Sequence, residues 1–262
     1  MTDELCVIRG GGDLATGVAW RLSRAGFAVV VTELAEPLTV RRTVALSTAV
    51  TDGSVDIEGM VGRLARRPDE AVHIAFGGDV GVVVSQALPD IGADVVVDAR
   101  LAKRNIDTST DDARLVVALG PGFTAGVDCH AVVETMRGPR LGRCIWEGPA
   151  EPDTGSPGAV GGRASERVLR APAAGAAEWK VAIGDIVEEG QALGTVADDE
   201  LSAPFTGVVR GLIRDGTTVR GGLKIGDIDP RIDTNVNEIS DKALAVGGGV
   251  LEAVMTWSTR GH

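Results

Sequence analysis

Positive charge is scarce in this 262-residue chain: 26 lysines and arginines stand against 37 aspartates and glutamates, for a net charge of −11. Nucleic acid and anionic lipid both reward basic surfaces, so neither is expected as a principal partner. A small anionic ligand stays open, because a local cationic pocket can exist on an acidic protein. No apolar run approaches the ~20 residues of a membrane span, and no membrane partner is expected. The opening "MTDELCVIRG" is acidic and enters a strand-like run at once, without the basic and apolar regions of a secretory signal. A cytoplasmic location is therefore expected. Cysteine is limited to Cys6, Cys129 and Cys144, an odd set without C-x-x-C spacing, which fits reduced thiols and not a disulfide framework. With His73, His130 and His262 as the whole histidine complement, no metal site is expected.

Apolar residues make up 44% of the chain, enough for a sizeable core, and their order is informative. "LCVIRGGG" reads as a strand ending in glycines. "DLATGVAWRLSRAGF" reads as a helix with Leu14, Val18 and Leu22 on one face and Gly26 to stop it. "AVVVTE", "DEAVHIAFGGD", "ADVVVDAR" and "ARLVVALGPG" read as further buried strands, with "TVRRTVALSTAV" as a helix among them. Near-continuous Val/Ile/Ala strands separated by helices imply a parallel sheet covered on both faces. Residues 1–150 are expected to form a Rossmann-like, doubly wound α/β domain.

The first turn of that domain carries the most interpretable motif. Gly10-Gly11-Gly12-Asp13-Leu14-Ala15 matches G-x-G-x-x-A between strand and helix. Gly10 would permit the tight turn, Gly12 would let backbone approach a phosphate at the helix N-terminus, and Ala15 would let helix and strand pack closely. Glu33 closes the second strand, where an acidic residue meets a ribose hydroxyl in such motifs. The reading is a bound nucleotide or dinucleotide such as NAD(P). The alternative is a glycine turn kept for backbone reasons alone. Asp13 in the loop repels pyrophosphate unless it turns away or caps the helix.

Other candidates surround this turn. Arg41 and Arg42 follow at a distance that could bring one guanidinium to the same cleft, against the alternative of a solvated helix face. Gly77 and Gly78 in "FGGD", and Gly120 and Gly122 in "GPGF", sit at apparent strand ends, which border the ligand crevice of an open α/β sheet. "DARLAKRN" brings Asp98, Arg100, Lys103, Arg104 and Asn105 off another strand end, as an anion site or an exposed charge run. In "DCHAVVET", read as helical, Asp128 and His130 could relay a proton, Cys129 could be a nucleophile, and Glu134 lies one turn on. Adjacent helical residues diverge by ~100°, which works against a joint role for Cys129 and His130. An NAD(P)-dependent oxidoreductase would further need a proton donor, for which Asp98 and His73 are the candidates.

"EGPAEPDTGSPGAVGG" then marks a connection, and an internal repeat follows. "APAAG" at Ala171–Gly175 returns as "APFTG" at Ala203–Gly207, and the same offset relates Gly184 to Gly216, Val187 to Val219 and Gly190 to Gly222. Spaced glycines with Val and Leu fit short strands and tight turns. Residues 165–230 resemble the barrel-sandwich hybrid of biotinyl and lipoyl domains. Those carriers modify a lysine at a hairpin tip; here the corresponding stretch carries Asp198-Asp199-Glu200, and Lys180 and Lys224 lie elsewhere. Covalent biotin or lipoate is therefore not expected. Residues 231–262 read as a polar loop and a helix interrupted by Gly247-Gly248-Gly249, which implies either very close packing or a break at a ligand.

Taken in order, "IRGGGDLATGVAWRL", "GPGFTAGVDCHAVVETMRGPRLGR", "DTGSPG", "RVLRAPAAG", "KIGDIDPR" and "ISDKALAVGGGVLEAV" resemble the YqeB-type accessory proteins of the selenium-dependent molybdenum hydroxylase system. The resemblance implies a role in maturing such an enzyme: handling its molybdopterin cofactor or a labile selenium or sulfur ligand, with the hydroxylase and its other maturation proteins as partners. It carries over no catalytic residues. Direct sulfur or selenium transfer through Cys129 and a ligand-free docking scaffold are the remaining expectations, and an oligomer is compatible with either.

Overall fold

The computed structural model describes residues 3–155 and 161–260. The centre of the Gly/Pro-rich connection and His262 lie outside the described residues. The chain divides into two units. Unit 1 comprises Met1–Pro37, Ala45–Asp153 and Ile239–His262; unit 2 comprises Leu38–Val44 and Thr154–Glu238.

Unit 1 is a mixed α/β structure. Its elements in chain order are β1 (Leu5–Arg9), α1 (Asp13–Arg24), β2 (Ala28–Glu33), the short α2 (Thr48–Asp52), β3 (Ser54–Ile57), β4 (Met60–Ala65), α3 (Pro68–Phe76), β5 (Val80–Val84), β6 (Val95–Asp98), β7 (Leu115–Leu119), β8 (Thr124–Ala125), β9 (Ala131–Val133), β10 (Cys144–Ile145), β11 (Gly148–Pro149) and, after unit 2, α4 (Asp241–Arg260). Nine strands form one sheet in the order β10-β9-β7-β6-β1-β2-β5-β4-β3. Neighbours are parallel from β9 to β4, and the edge strands β10 and β3 are antiparallel. The central strands β1, β6 and β7 are buried at every residue, which explains their unbroken apolar runs. From β1 the chain adds β2, goes to the far edge for β3 and β4, returns to insert β5 between β2 and β4, then crosses back to β6 and builds the other way, so the winding reverses between β1 and β6.

Residue alternation divides the core. Val7, Val30, Val96, Val116 and Val132 point to the face that holds Ala71 and Ala75 of α3. Val133 points the other way, toward α4, where a Cβ on Gly249 would meet its Cγ1 at 2.8 Å. Helices α1 and α4 pack together on that second face through glycine. A Cβ on Gly17 would lie 2.3 Å from the Ala243 carbonyl oxygen, one on Gly247 2.3 Å from that of Gly17, and one on Gly249 2.1 Å from that of Gly142. The glycine run in α4 therefore serves very close packing, and the helix continues through it without a break. The C-terminal helix is part of unit 1.

Two stretches fold differently from their sequence reading. "DEAVHIAFGGD" is helix α3 and not a strand: Pro68 occupies the first turn with Asp69 and Glu70, a start signal that outweighs the apolar alternation. "DCHAVVET" contains strand β9 and not a helix. "TVRRTVALSTAV" contributes only a 3₁₀ turn at Arg42–Val44 and the five-residue α2. Connections after β5, β6 and β7 contain no α-helix.

Unit 2 holds β12 (Val168–Arg170), β13 (Gly175–Trp179), β14 (Ile186–Val187), β15 (Ala192–Val196), β16 (Asp199–Ser202), β17 (Gly207–Leu212), β18 (Thr218–Val219) and β19 (Lys224–Asp229). They form two four-stranded sheets, β12-β19-β17-β14 and β16-β15-β13-β18, and all their pairings are antiparallel. The repeat is visible in the pairing, because each half lends its short strand to the other: β14 pairs with β17, and β18 with β13. The turn hydrogen bonds are reciprocal. Gly184 N donates to Val209 O while Gly216 N donates to Ala177 O, and Gly190 N donates to Ala203 O while Gly222 N donates to Ala171 O. Leu193, Val209, Leu212, Ile225 and Ile228 fill the core from both halves. The hairpin between β15 and β16 turns at Ala197, with φ +54°, and Asp198; Asp199 and Glu200 belong to β16. Among the described residues no helix is long and apolar enough to cross a membrane.

Candidate functional site

The reversal between β1 and β6 opens at their carboxyl ends, where the glycine turn stands. Gly10 has φ +98° and donates its N–H to the Thr32 carbonyl at 2.8 Å, and a Cβ there would meet the Ala99 carbonyl oxygen at 3.2 Å. Gly11 donates to Glu33 Oε2 at 2.8 Å, and its carbonyl accepts from Ser47 N at 2.8 Å. Glu33 Oε1 accepts in addition from Leu34 N at 2.7 Å. The acidic group at the end of β2 thus latches the glycine turn. Gly12 is the N-cap of α1 at φ −74°, an angle open to any residue, and Asp13 is the first helical residue and not the cap. There its carboxylate complements the helix dipole. Ala15 is buried in α1.

Beside the turn lies a charged network that joins the ends of β1 and β6. Asp98, 1% exposed, accepts from Arg100 Nη2 at 2.6 Å and from the Thr108 hydroxyl at 2.6 Å. Arg9, also 1% exposed, meets Asp107 Oδ1 and Oδ2 at 2.9 Å each, and Arg100 Nη2 meets Asp107 Oδ1 at 2.7 Å. Hydrogen bonds from the Arg9 guanidinium, reinforced by Arg100, hold the Asp107 carboxyl below the usual carboxylate range. Asn105 Nδ2 donates to the Thr108 carbonyl and to Asp128 Oδ1, and Asp128 Oδ2 accepts from Thr124 N, which ties the loop after β6 to the loop after β8. Gly122, at φ +104°, is required there, since a Cβ would lie 2.4 Å from Arg104 N; at Gly120 it would lie 2.4 Å from Thr135 Oγ1. Leu101 and Lys103, neither of them glycine, are left-handed at φ +53° and +62°. Such strain tends to collect at functional sites.

No family model matches the chain. Over 256 residues it is 50% identical to "Uncharacterized protein YqeB" of Escherichia coli strain K12, an alignment covering 96% of this chain and 47% of that protein. The likeness supports a YqeB-type family. The chain spans about half the length of this relative. A solved aspartoacylase family protein from Mesorhizobium loti aligns over 87% of this chain and 85% of that one, at 12% identity and a TM-score of 0.28, a likeness that carries no argument.

Several candidates fall away from the crevice. Gly77 and Gly78 cap the C-terminus of α3, at the amino end of β5. Arg41 and Arg42 belong to unit 2, where they donate to the carbonyls of Glu238 and Leu212, at 3.0 and 2.8 Å. Cys129 is fully buried, and burial, with the Asp128 charge adding, pushes its thiol up to about 12, the opposite of what a nucleophile or sulfur carrier needs. His130 accepts from Val116 N at Nδ1 at 2.9 Å and packs on Trp257 with ring centroids 4.7 Å apart. It precedes β9, at the amino end of the sheet. Asp98 is bound by Arg100 and Thr108, so it positions the arginine. Glu134 is buried and accepts from Met136 N and Glu151 N.

Arg9, Asp107, Thr108 and Lys242 were not singled out in the sequence. Lys242, in the first turn of α4, is held below the ordinary lysine range by burial and then by the charges of Arg137 and Lys103, against the pull of Asp13 and Glu134. Only the position of Arg9 as the last residue of β1 could have drawn attention to it, since a charge ending a wholly apolar central strand needs a partner.

Proposed function

We propose that this chain is an accessory protein for the maturation of a molybdenum hydroxylase, and that its unit 1 binds a nucleotide or molybdopterin-type cofactor across the carboxyl ends of β1 and β6. The observation that carries the proposal is the reversal of winding between β1 and β6 with Gly10–Gly12 directly upon it. With the β3–β4 hairpin set aside as an edge addition, the strand order matches the Rossmann-like doubly wound arrangement, in which ligands bind at that switch point. The α1 N-terminus adds a favourable dipole for phosphate, and Lys103 and Arg137 lie near Lys242, with Lys103 paired to Asp153 and Arg137 to Asp241. The maturation role rests on the ordered sequence resemblance alone, since the 50% identical YqeB is described as uncharacterized. Under this reading unit 2 is a barrel-sandwich module that docks the hydroxylase or another maturation protein, a reading its exchanged half-repeats support. Its hairpin tip, Ala197 and Asp198, offers no amine for biotin or lipoate.

Calorimetry with NAD(P), purine and cytidine nucleotides and a molybdopterin dinucleotide tests the proposal. At least one should bind, and Gly12→Val should abolish binding while thermal unfolding stays cooperative. Failure of every ligand to bind overturns it. A second reading, a ligand-free scaffold, is favoured by the Glu33 latch and by Ser47, whose amide nitrogen a Cβ on Gly11 would meet at 2.8 Å. Under that reading Gly12→Val and Glu33→Ala leave hydroxylase maturation intact.

A further inference from the structure

Asp107 is 48% exposed, yet its carboxylate sits across two arginines, one 2% and one 18% exposed, at 2.7 to 2.9 Å. A buried guanidinium is costly unless paired, and here the pairing comes from a side chain that remains half in solvent. Arg100 has a second carboxylate in Asp98, so the two arginines and two aspartates balance only while Asp107 is in position. Arg9 Nε is buried with no acceptor among the described residues. The loop that carries Asp107 also contains the left-handed Leu101 and Lys103, so its closed form stores strain. A planar guanidinium donates to phosphate oxygens in the same two-pronged geometry with which it donates to a carboxylate. Arg9 and Arg100 end or follow the two strands between which the winding reverses.

We propose that Arg9 and Arg100 form the subsite for a phosphate group of the ligand, and that Asp107 occupies it as an internal carboxylate until the ligand displaces it. This inference rests on the reading that the ends of β1 and β6 take a phosphorylated ligand, and it adds where the phosphate sits and what holds the site closed. Because the closed form competes with the ligand, apparent affinity falls by the fraction of molecules that are open.

The test is titration of inorganic pyrophosphate into the full chain and its Asp107→Asn variant at constant ionic strength, alongside the nucleotide panel. The variant should bind pyrophosphate at least about tenfold more tightly, and adding Arg100→Lys should remove the gain, because a point charge lacks the fork. Equal or weaker pyrophosphate binding by Asp107→Asn overturns the inference, even if the wild type binds a nucleotide normally. Conversely, a gain in pyrophosphate binding with no nucleotide bound by either protein upholds the subsite and removes the nucleotide reading. If the asparagine variant does not fold, Asp107→Ser takes its place. Hydrogen exchange on the wild type gives an independent readout. Saturating pyrophosphate should raise exchange across residues 101–108, and unchanged or increased protection there contradicts displacement of Asp107.

Discussion

Both units use glycine for close contact and for turns, but only unit 2 uses its turn glycines twice over. In unit 1 the critical glycines are defined by what lies against them: Gly17 and Gly247 between α1 and α4, and Gly81 in β5, where a Cβ would lie 2.1 Å from the Ala71 carbonyl oxygen. In unit 2 many are defined by how the chain turns. Gly190 and Gly222 stand at φ +80° and +79° with nothing within 4 Å of a Cβ. Unit 2 has close contacts of its own, a Cβ on Gly194 lying 2.1 Å from the Glu178 carbonyl oxygen, but its turn glycines recur at matching places in the two halves, whereas the α1–α4 contact has no counterpart along the chain. The contrast explains why the repeat was readable along the sequence and the helix pair was not.

Substitutions can break or sharpen this comparison. Gly247→Ala and Gly81→Ala should be the most damaging, since each drives a methyl into backbone; about 3 kcal/mol each is expected from chemical denaturation. Gly190→Ala and Gly222→Ala should cost about 1 kcal/mol each, through left-handed strain alone. They should also match each other within about 0.5 kcal/mol, and unequal costs would show that the halves are not equivalent in energy. Gly248→Ala should go the other way. Its neighbours Gly247 and Gly249 are crowded, but among the described residues nothing outside the helix's own turn lies within 4 Å of a Cβ at Gly248, so alanine should stabilise α4 by about 0.5–1 kcal/mol.

The smallest effect concerns Asp107. Its folded pKa lies below the ordinary aspartate value, so the stability it contributes is full above about pH 4 and is lost as pH falls through the folded value. Because the side chain is half-exposed, the contribution should be about 1 kcal/mol or less. The gap in denaturation midpoint between wild type and Asp107→Asn should narrow as pH falls from 7 through the ordinary aspartate range and below it, and a gap that does not narrow at all would mean that the ion pair is not its source.

Legibility followed the range of the interactions. Strands β1, β2, β6 and β7 and helix α1 could be read because each announces itself within a dozen residues. In α3 the start signal is Pro68-Asp69-Glu70, while the apolar residues that follow it imitate a strand. Strand β9 is three residues long, and His130 and Glu134 flanking it imitate a helical turn. Within the candidate site, the glycine turn and its neighbour Glu33 were visible, but their bond to each other was not. The Arg9–Asp107 pair is 98 residues apart in sequence, and only the parallel pairing of β1 with β6 brings it together. The partners of Arg41 and Arg42 are hidden for the same reason, because the carbonyls they donate to lie 197 and 170 residues further along the chain.

The central claim is that a phosphorylated ligand binds where the winding of the sheet reverses. Hydrogen exchange of the full chain, with and without the tightest ligand found by calorimetry, tests it most directly. Protection should appear at residues 10–16, the glycine turn and the first turn of α1, and should vanish in Gly12→Val. Protection confined to any other segment, with residues 10–16 unchanged, would contradict the account.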